Sequence, residues 1–213
     1  QSRHVGTSIK HFAANNQEFN RMSAFSEVDE RTLREIYLPA FETAVKKSQP
    51  YTVMCSYNKI NETYASENPW LLTEVLRDEW GFKGYVMSDW GAVNDRVEGL
   101  KAGLDLEMPS SNGINDAEIV KAVQEGTLDE AVLDQAVERI LKIVFEYLDN
   151  KKEQPLTLEQ DHEFAQHAAE ESIVLLKNEE NILPLKEKEQ VAFIGGFVKN
   201  PRYQGGGSSH VNP

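Results

Sequence analysis

The chain has 213 residues, of which 40% are hydrophobic and 27% charged, and its formal net charge is −13. This balance predicts a soluble globular protein, and no apolar run approaches the roughly 20 residues that a membrane-spanning helix needs. Charge-driven binding of phosphates needs clustered Lys and Arg, so the acidic balance excludes nucleic acid as a partner.

Cys55 is the only cysteine, which excludes an intrachain disulfide and a cysteine-based metal site. A lone thiol fits a reducing compartment, which favours the cytoplasm but leaves the location of the protein open. The chain begins at Gln1 without the charged and apolar regions of a signal peptide, and it ends in a glycine-rich stretch at 205–213. We therefore expect it to be a fragment of a longer protein.

Short apolar runs alternate with longer amphipathic ones in the first half of the chain, which is typical of βα units around a parallel sheet. Strands are predicted at residues 5–13, 52–58, 85–89 and 102–108. Helices are predicted at residues 29–41, 69–80 and 93–101. Pro39 is expected to kink or split the first helix, and Gly81 to end the second. Four such units are half of an eight-stranded barrel.

The second half of the chain is mostly helical in pattern. Further helices are predicted at 114–124, at 128–148 and at 161–178, the last with Asp161 as its N-cap. A polar connection ending in Pro155 precedes that helix. The apolar run at 191–194 before Gly195 and Gly196 predicts the first strand of a new α/β layer.

Polar and aromatic residues follow the predicted strands where each strand ends. They are Lys10, His11, Ser56, Tyr57, Asn58, Ser88, Asp89, Trp90, Asp105 and Glu107. Barrel enzymes place their chemistry at the carboxyl ends of the strands. Carboxylate, ammonium and aromatic groups are the usual lining of a carbohydrate site, so a sugar site is predicted at this edge.

Long blocks of the sequence closely resemble glycoside hydrolase family 3, particularly its bacterial β-glucosidases. They are KHFAANNQE (10–18), LREIYLPAFETAV (33–45), VMCSYNKIN (53–61), SENPWLLTEVLRDEWGFKGYVMSDWGAV (66–93) and AGLDLEMP (102–109). Residues 172–185 and 203–213 resemble the junction into the second domain of that family. The resemblance covers essentially the whole chain.

The resemblance implies an α/β fold: the C-terminal half of a (β/α)8 TIM-like barrel followed by the first strand of an α/β sandwich domain. We expect residues 1–150 to form the partial barrel with its C-terminal helices. Residues 151–185 would then be a linker and connecting helix, and residues 186–213 the start of the sandwich domain.

The activity implied by the resemblance is that of an exo-acting retaining β-glucosidase with a covalent glycosyl-enzyme intermediate. Asp89 matches the nucleophile of the SDW motif, although Asp is also a common N-cap for a following helix. Lys10 and His11 match a pair that holds sugar hydroxyls, with a satisfied buried ion pair as the alternative. Trp90 matches an aromatic residue beside the sugar, with core packing as its alternative.

Three further residues are expected to support the site or the fold rather than to react with the sugar. Tyr57 matches a phenol that approaches the nucleophile, where a donor would hold the carboxylate ionised. Arg21 lies in the loop after KHF and either reaches the mouth of the site or is structural. Glu107 is expected to form hydrogen bonds rather than to take part in catalysis. No Glu in the chain matches the acid/base, so the chain alone is expected to be inactive.

Several alternatives stay open. The loop after Phe12 lacks the His and Asp of the hexosaminidase branch, which disfavours that activity. A β-xylosidase or a dual-specificity exo-glycosidase remains, as does a non-catalytic sugar-binding barrel. A phosphate or nucleotide-binding module is a further rival, on the glycines at 195–196 and 205–207. We expect a β-glucoside or oligosaccharide as partner, no cofactor, no metal and no membrane, and we leave self-association open.

Overall fold

A parallel sheet forms the centre of the first of two units in the computed structural model, which describes residues 5–151, 157–207 and 210. The units comprise Gln1–Glu153 and Gln154–Pro213. The strands of the first unit, in chain order, are β1 (Ser8–Phe12), β2 (Phe25–Ser26), β3 (Thr52–Cys55), β4 (Lys59–Ile60), β5 (Thr63–Tyr64) and β6 (Tyr85–Met87).

Helices connect these strands and follow them. The α-helices of the first unit are α1 (Glu30–Thr32), α2 (Pro39–Ser48), α3 (Arg96–Ala102), α4 (Ile114–Gln124) and α5 (Glu130–Asn150). Two π-helical segments, Leu33–Tyr37 and Trp70–Glu79, and a 3-10 turn, Ala65–Glu67, complete the helical part. None of the helices formed by the described residues is long and apolar enough to cross a membrane.

Strand β3 lies between β1 and β6, and all three run parallel. Ile9, Val53 and Val86 lie side by side across the sheet. Val53 and Val86 are almost fully buried, as expected where helices cover a parallel sheet. A small second sheet has the order β2-β4-β5, in which β4 and β5 form an antiparallel hairpin.

The predicted fourth strand at 102–108 is wrong as a regular strand, because it is reduced to one parallel bridge between Met87 and Leu106. The reason lies in Asp105, whose carboxylate accepts the Val86 N–H at 2.7 Å. A side chain therefore occupies a position that a backbone carbonyl would fill in a continued ladder.

Pro39 splits its helix, as predicted: the π-helical segment ends at Tyr37, and α2 begins with Pro39 in its first turn. Gly81 follows the helix Trp70–Glu79 with a φ of 71°, a conformation that glycine adopts without strain. Gly84 lies against the carbonyl of Tyr51, where any Cβ would overlap it. The backbone conformation at Gly81 and the close contact at Gly84 explain why glycine stands at both ends of GFKG, the segment before β6.

The second unit contains α6 (Leu158–Ser172) and two short 3-10 turns, Glu179–Asn181 and Gly196–Val198. The prediction of Asp161 as the N-cap is wrong, because Thr157 caps α6 in a reciprocal capping box with Gln160. The strand predicted at 191–194 is not formed in this chain, and Ile194 is 92% exposed. A strand needs a neighbour to pair its backbone groups, and none lies beside these residues in the described part of this unit.

Candidate active site

The ends of three adjacent parallel strands bring three predicted residues together. His11 lies near the end of β1, Tyr57 two residues after β3, and Asp89 two residues after β6. Because the strands are neighbours and parallel, these ends lie along one edge of the sheet.

Asp89 is 8% exposed, and both oxygens of its carboxylate have a partner. Oδ2 lies 3.3 Å from Nε2 of His11, and Oδ1 accepts the backbone N–H of Trp90 at 2.8 Å. The N-cap role is ruled out, because Asp95 caps α3 by accepting the Glu98 N–H at 2.9 Å. The Asp89 side chain is thus fixed by the strand end and directed at His11.

Hydrogen bonds to Met108 hold the segment around Asp89 on both sides, and the sequence did not predict them. The Ser88 hydroxyl donates to the Met108 carbonyl at 3.2 Å and accepts the Met108 N–H at 2.8 Å. Gly91 N–H also donates to the Met108 carbonyl, at 3.0 Å. The only sequence feature that pointed to these bonds was the polar Ser88 next to Asp89 at the end of an apolar strand. Its partner, Met108, is 20 residues away along the chain.

The Tyr57 hydroxyl donates to the carbonyl of Trp90 at 2.8 Å, so in this structure it braces the loop beside Asp89. Burial raises the pKa of Tyr57, and the negative charge of Asp89 raises it further. The phenol therefore remains a neutral donor at neutral pH. The guanidinium of Arg21 lies 5.2 Å above the Tyr57 ring and forms an ion pair with Glu18 at 2.7 Å.

Two pockets flank this group. Lys10 and His11 line a pocket of about 310 Å³ that also includes Asn15 and Asn16. Tyr57 and the backbone after Trp90 line a smaller one of about 140 Å³. The Trp90 side chain is 61% exposed, which rules out core packing. The ammonium of Lys10 has no ion-pair partner among the described residues.

The two acids of the AGLDLEMP block, Asp105 and Glu107, form structural contacts. Asp105 binds Arg77 at 2.6 Å and Arg139 at 2.9 Å, with its carboxylate fully buried. Burial lowers the pKa of Arg77 to about 10, so it remains charged at neutral pH beside Asp105. Half-buried Glu107 accepts a bond from Asn115 at 2.6 Å, which agrees with the predicted hydrogen-bonding role.

Asp89 thus lies at the strand end as one buried carboxylate, near an imidazole, a phenol and an exposed indole. Within the described ranges, no three His, Cys, Asp or Glu side chains are grouped closely enough to hold a metal. Residues 1–143 match the glycosyl hydrolase family 3 N-terminal domain, and residues 173–213 match the C-terminal domain of the same family. The chain belongs to glycosyl hydrolase family 3.

Individual relatives agree with this family. The chain is 61% identical to thermostable β-glucosidase B of Acetivibrio thermocellus, over all of this chain and 28% of that protein. It is 50% identical to an exo-α-(1→6)-L-arabinopyranosidase of Bifidobacterium breve, over all of this chain and 29% of that protein. The chain thus spans under a third of the length of these relatives.

A solved structure, β-glucosidase 3B of Thermotoga neapolitana in complex with α-D-glucose, matches all of this chain and 31% of its own. The two are 46% identical with a TM-score of 0.84. These matches confirm the predicted family and the α/β class.

Proposed function

We propose that the protein to which this chain belongs is an exo-acting retaining β-glucosidase that removes terminal β-D-glucosyl residues. The observation that carries the proposal is the buried Asp89 carboxylate, held at a strand end by His11 and by the Trp90 N–H. A retaining glycosidase needs one ionised carboxylate fixed beneath the anomeric carbon. The β-glucosidase relatives support glucose as the sugar.

In the first step, an oxygen of Asp89 attacks the anomeric carbon as the bond to the aglycone oxygen breaks. The aglycone oxygen takes a proton from an acid, and the sugar is left as an ester of Asp89. In the second step, water attacks the same carbon, gives its proton to the conjugate base, and releases Asp89 as a carboxylate. We propose that the acid/base lies in a part of the protein outside this chain.

The remaining residues have binding and positioning roles in the proposal. Lys10 and His11 bind sugar hydroxyls from the pocket that they line, and exposed Trp90 offers its ring to the sugar. Tyr57 positions the loop of Trp90, and Arg21 lies over the Tyr57 ring at the mouth of the site. Residues 1–150 are the proposed barrel part and residues 186–213 the start of the sandwich domain.

The test is the stereochemistry of hydrolysis by the full-length protein. With 4-nitrophenyl β-D-glucoside as substrate, proton NMR is expected to show β-glucose first, with α-glucose appearing only through mutarotation. Early α-glucose contradicts a retaining mechanism, and an absence of glucose contradicts the activity.

A pentopyranosidase or dual-specificity enzyme is the second candidate, because one relative at 50% identity carries the name of an arabinopyranosidase. Arabinopyranose and xylopyranose lack the hydroxymethyl group of glucose. Comparison of kcat/KM for the aryl β-glucoside, β-xyloside and α-L-arabinopyranoside decides between them. A higher value for either pentoside identifies the second candidate.

A further inference from the structure

Another pocket lies against the β4–β5 hairpin and α1, and neither Asp89 nor His11 lines it. Its volume is about 290 Å³, close to the lower end of the roughly 300–1,000 Å³ typical of ligand pockets. Leu33 and Ile60, at 1% and 2% exposure, contribute an apolar base. Glu30 and Thr63 are exposed and lie at its rim.

Hydrogen-bond donors in this pocket lack protein acceptors. Asn68 is 8% exposed, and its Oδ1 accepts the Leu71 N–H at 3.0 Å. Within the part of the chain that the structure describes, the Asn68 amide N–H groups, the Trp70 indole N–H and the Thr63 hydroxyl donate to no residue. The Asn68 amide nitrogen and the Trp70 indole nitrogen are not among the buried unsatisfied atoms of the described residues, and Thr63 is exposed, so all three groups contact solvent.

The acceptor in the pocket is Glu30. Its Oε1 accepts a bond from Nε of Arg34 at 2.7 Å, and its other oxygen has no partner among the described residues. Arg34 also forms a two-bond pair with Glu79, at 2.7 and 2.8 Å. The positive charge of Arg34 is therefore balanced by two carboxylates, Glu30 and Glu79. The negative charge of Glu30 makes the pocket unfavourable for an anion.

Three side chains with free donors and one carboxylate oxygen around an apolar base suit a polyhydroxylated ring. Sugar hydroxyls would satisfy the donors and the acceptor, while the C–H face of the ring would pack on the aliphatic side chains of Leu33 and Ile60. The Arg34 guanidinium lies 5.5 Å from the centroid of the Trp70 ring, so only the part of Trp70 that Arg34 leaves open can contact the sugar. An apolar ligand would leave the donors unpaired, which costs free energy. We propose that this pocket is a second, non-catalytic binding site that takes one pyranose unit.

The choice of D-glucose as the probe rests on the proposed function, but the pocket is tested by its own variants. Asn68→Asp keeps the oxygen that accepts the Leu71 N–H and removes the donors, and Thr63→Val removes the hydroxyl at nearly constant shape. Thr43→Val is the matched control, because Thr43 is exposed on α2 and does not line the pocket.

Calorimetric titration of the full-length protein with D-glucose is expected to show two binding sites. Asn68→Asp and Thr63→Val are each expected to weaken one of the two by about tenfold, the size of one lost hydrogen bond. Thr43→Val should bind as the wild type does, and hydrolysis of the aryl glucoside should be unchanged in all three variants. A crystal soaked in glucose is expected to show a ring beside Trp70.

Equal glucose binding by all variants together with an empty pocket in the soaked crystal overturns the proposal. Failure of the proposed function has a different signature: aryl glucosides are not hydrolysed, yet the component of glucose binding that depends on Asn68 persists. The two failures are therefore distinguishable.

Discussion

At the scale of single residues, Asp89 is the group on which the proposed chemistry depends. Asp89→Asn keeps an oxygen to accept the Trp90 N–H but removes the nucleophile. We expect kcat of the full-length protein to fall by roughly 10³-fold or more with the fold intact. Steady-state kinetics and circular dichroism check this, with exposed Asp78→Asn on the helix Trp70–Glu79 as control. A decrease under tenfold contradicts the role.

Cys55 gives a residue-scale prediction about pH. The side chain is fully buried, and burial raises the pKa of its thiol from 9.0 to about 12. The thiol should therefore not react with Ellman's reagent at pH 8 until the protein is unfolded in urea. Rapid reaction of the native protein contradicts this burial.

The same shift makes stability depend on pH. In the unfolded chain the thiol ionises near pH 9, whereas in the folded chain it stays neutral up to about 12. Its contribution is complete below pH 9 and is lost as the pH rises towards 12. Urea titrations between pH 9 and 12 are expected to show a smaller decrease in the free energy of unfolding for Cys55→Ala than for the wild type.

Much of the site at this scale could be predicted from the sequence. The strands of one parallel sheet place their carboxyl ends at the same edge, which is why the side chains of His11 and Asp89 come within 3.3 Å of each other across the end of β3. The reciprocal bonds of Ser88 with Met108 could not be predicted, because they depend on how close two loops come in three dimensions. The bond from the Tyr57 hydroxyl to the Trp90 carbonyl depends on the same loop geometry.

At the scale of elements, Asp105 joins β6, the helix Trp70–Glu79 and α5 through Val86, Arg77 and Arg139. Asp105→Ala leaves two cations and a backbone N–H without their acceptor. We expect a loss of about 3–5 kcal/mol in the free energy of unfolding, because breaking a buried pair leaves an uncompensated charge.

The control is an ion pair nearer the surface. Glu79, whose side chain is 43% exposed, binds Arg34 with two bonds. Glu79→Gln is expected to cost no more than about 1 kcal/mol, because solvent screens this pair. Urea unfolding measures both values, and a similar cost for both variants contradicts the buried network.

Element types were predictable where one local rule decides them. Pro39 ended one helix and began another, and Gly81 closed the helix before β6. Boundaries that depend on competing caps were less predictable: both Thr157 and Asp161 are good N-caps, and the bond from Gln160 back to Thr157 favours the earlier one. The predicted strand at 102–108 does not form as a regular strand, because the carboxylate of Asp105 accepts the Val86 N–H. The spacing of apolar residues in the sequence does not reveal such a bond.

At the scale of the whole chain, the two units differ in burial. The first contains a core around Phe12, Val53 and Leu72, each at most 1% exposed. Every described residue of the second unit is at least partly exposed, including Leu176 at 91%. Apolar side chains so exposed need further protein to cover them.

Limited proteolysis of the 213-residue chain tests this difference. We expect early cleavage within residues 157–207 and slow cleavage within residues 30–102, because local opening is easier where few apolar contacts exist. Mass spectrometry of the products identifies the sites. The same segment should resist cleavage in the full-length protein, and equal resistance of both segments in the 213-residue chain contradicts the prediction.

The most direct measurement is covalent trapping of the full-length protein by an activated 2-deoxy-2-fluoro-β-D-glucoside. The fluorine slows both steps, and the good leaving group lets the ester form faster than it hydrolyses. Peptide mapping is expected to place one fluoroglucosyl group on Asp89, with activity lost in proportion to labelling. An adduct on any other residue, or continued hydrolysis with no adduct on Asp89, would contradict its role as the nucleophile.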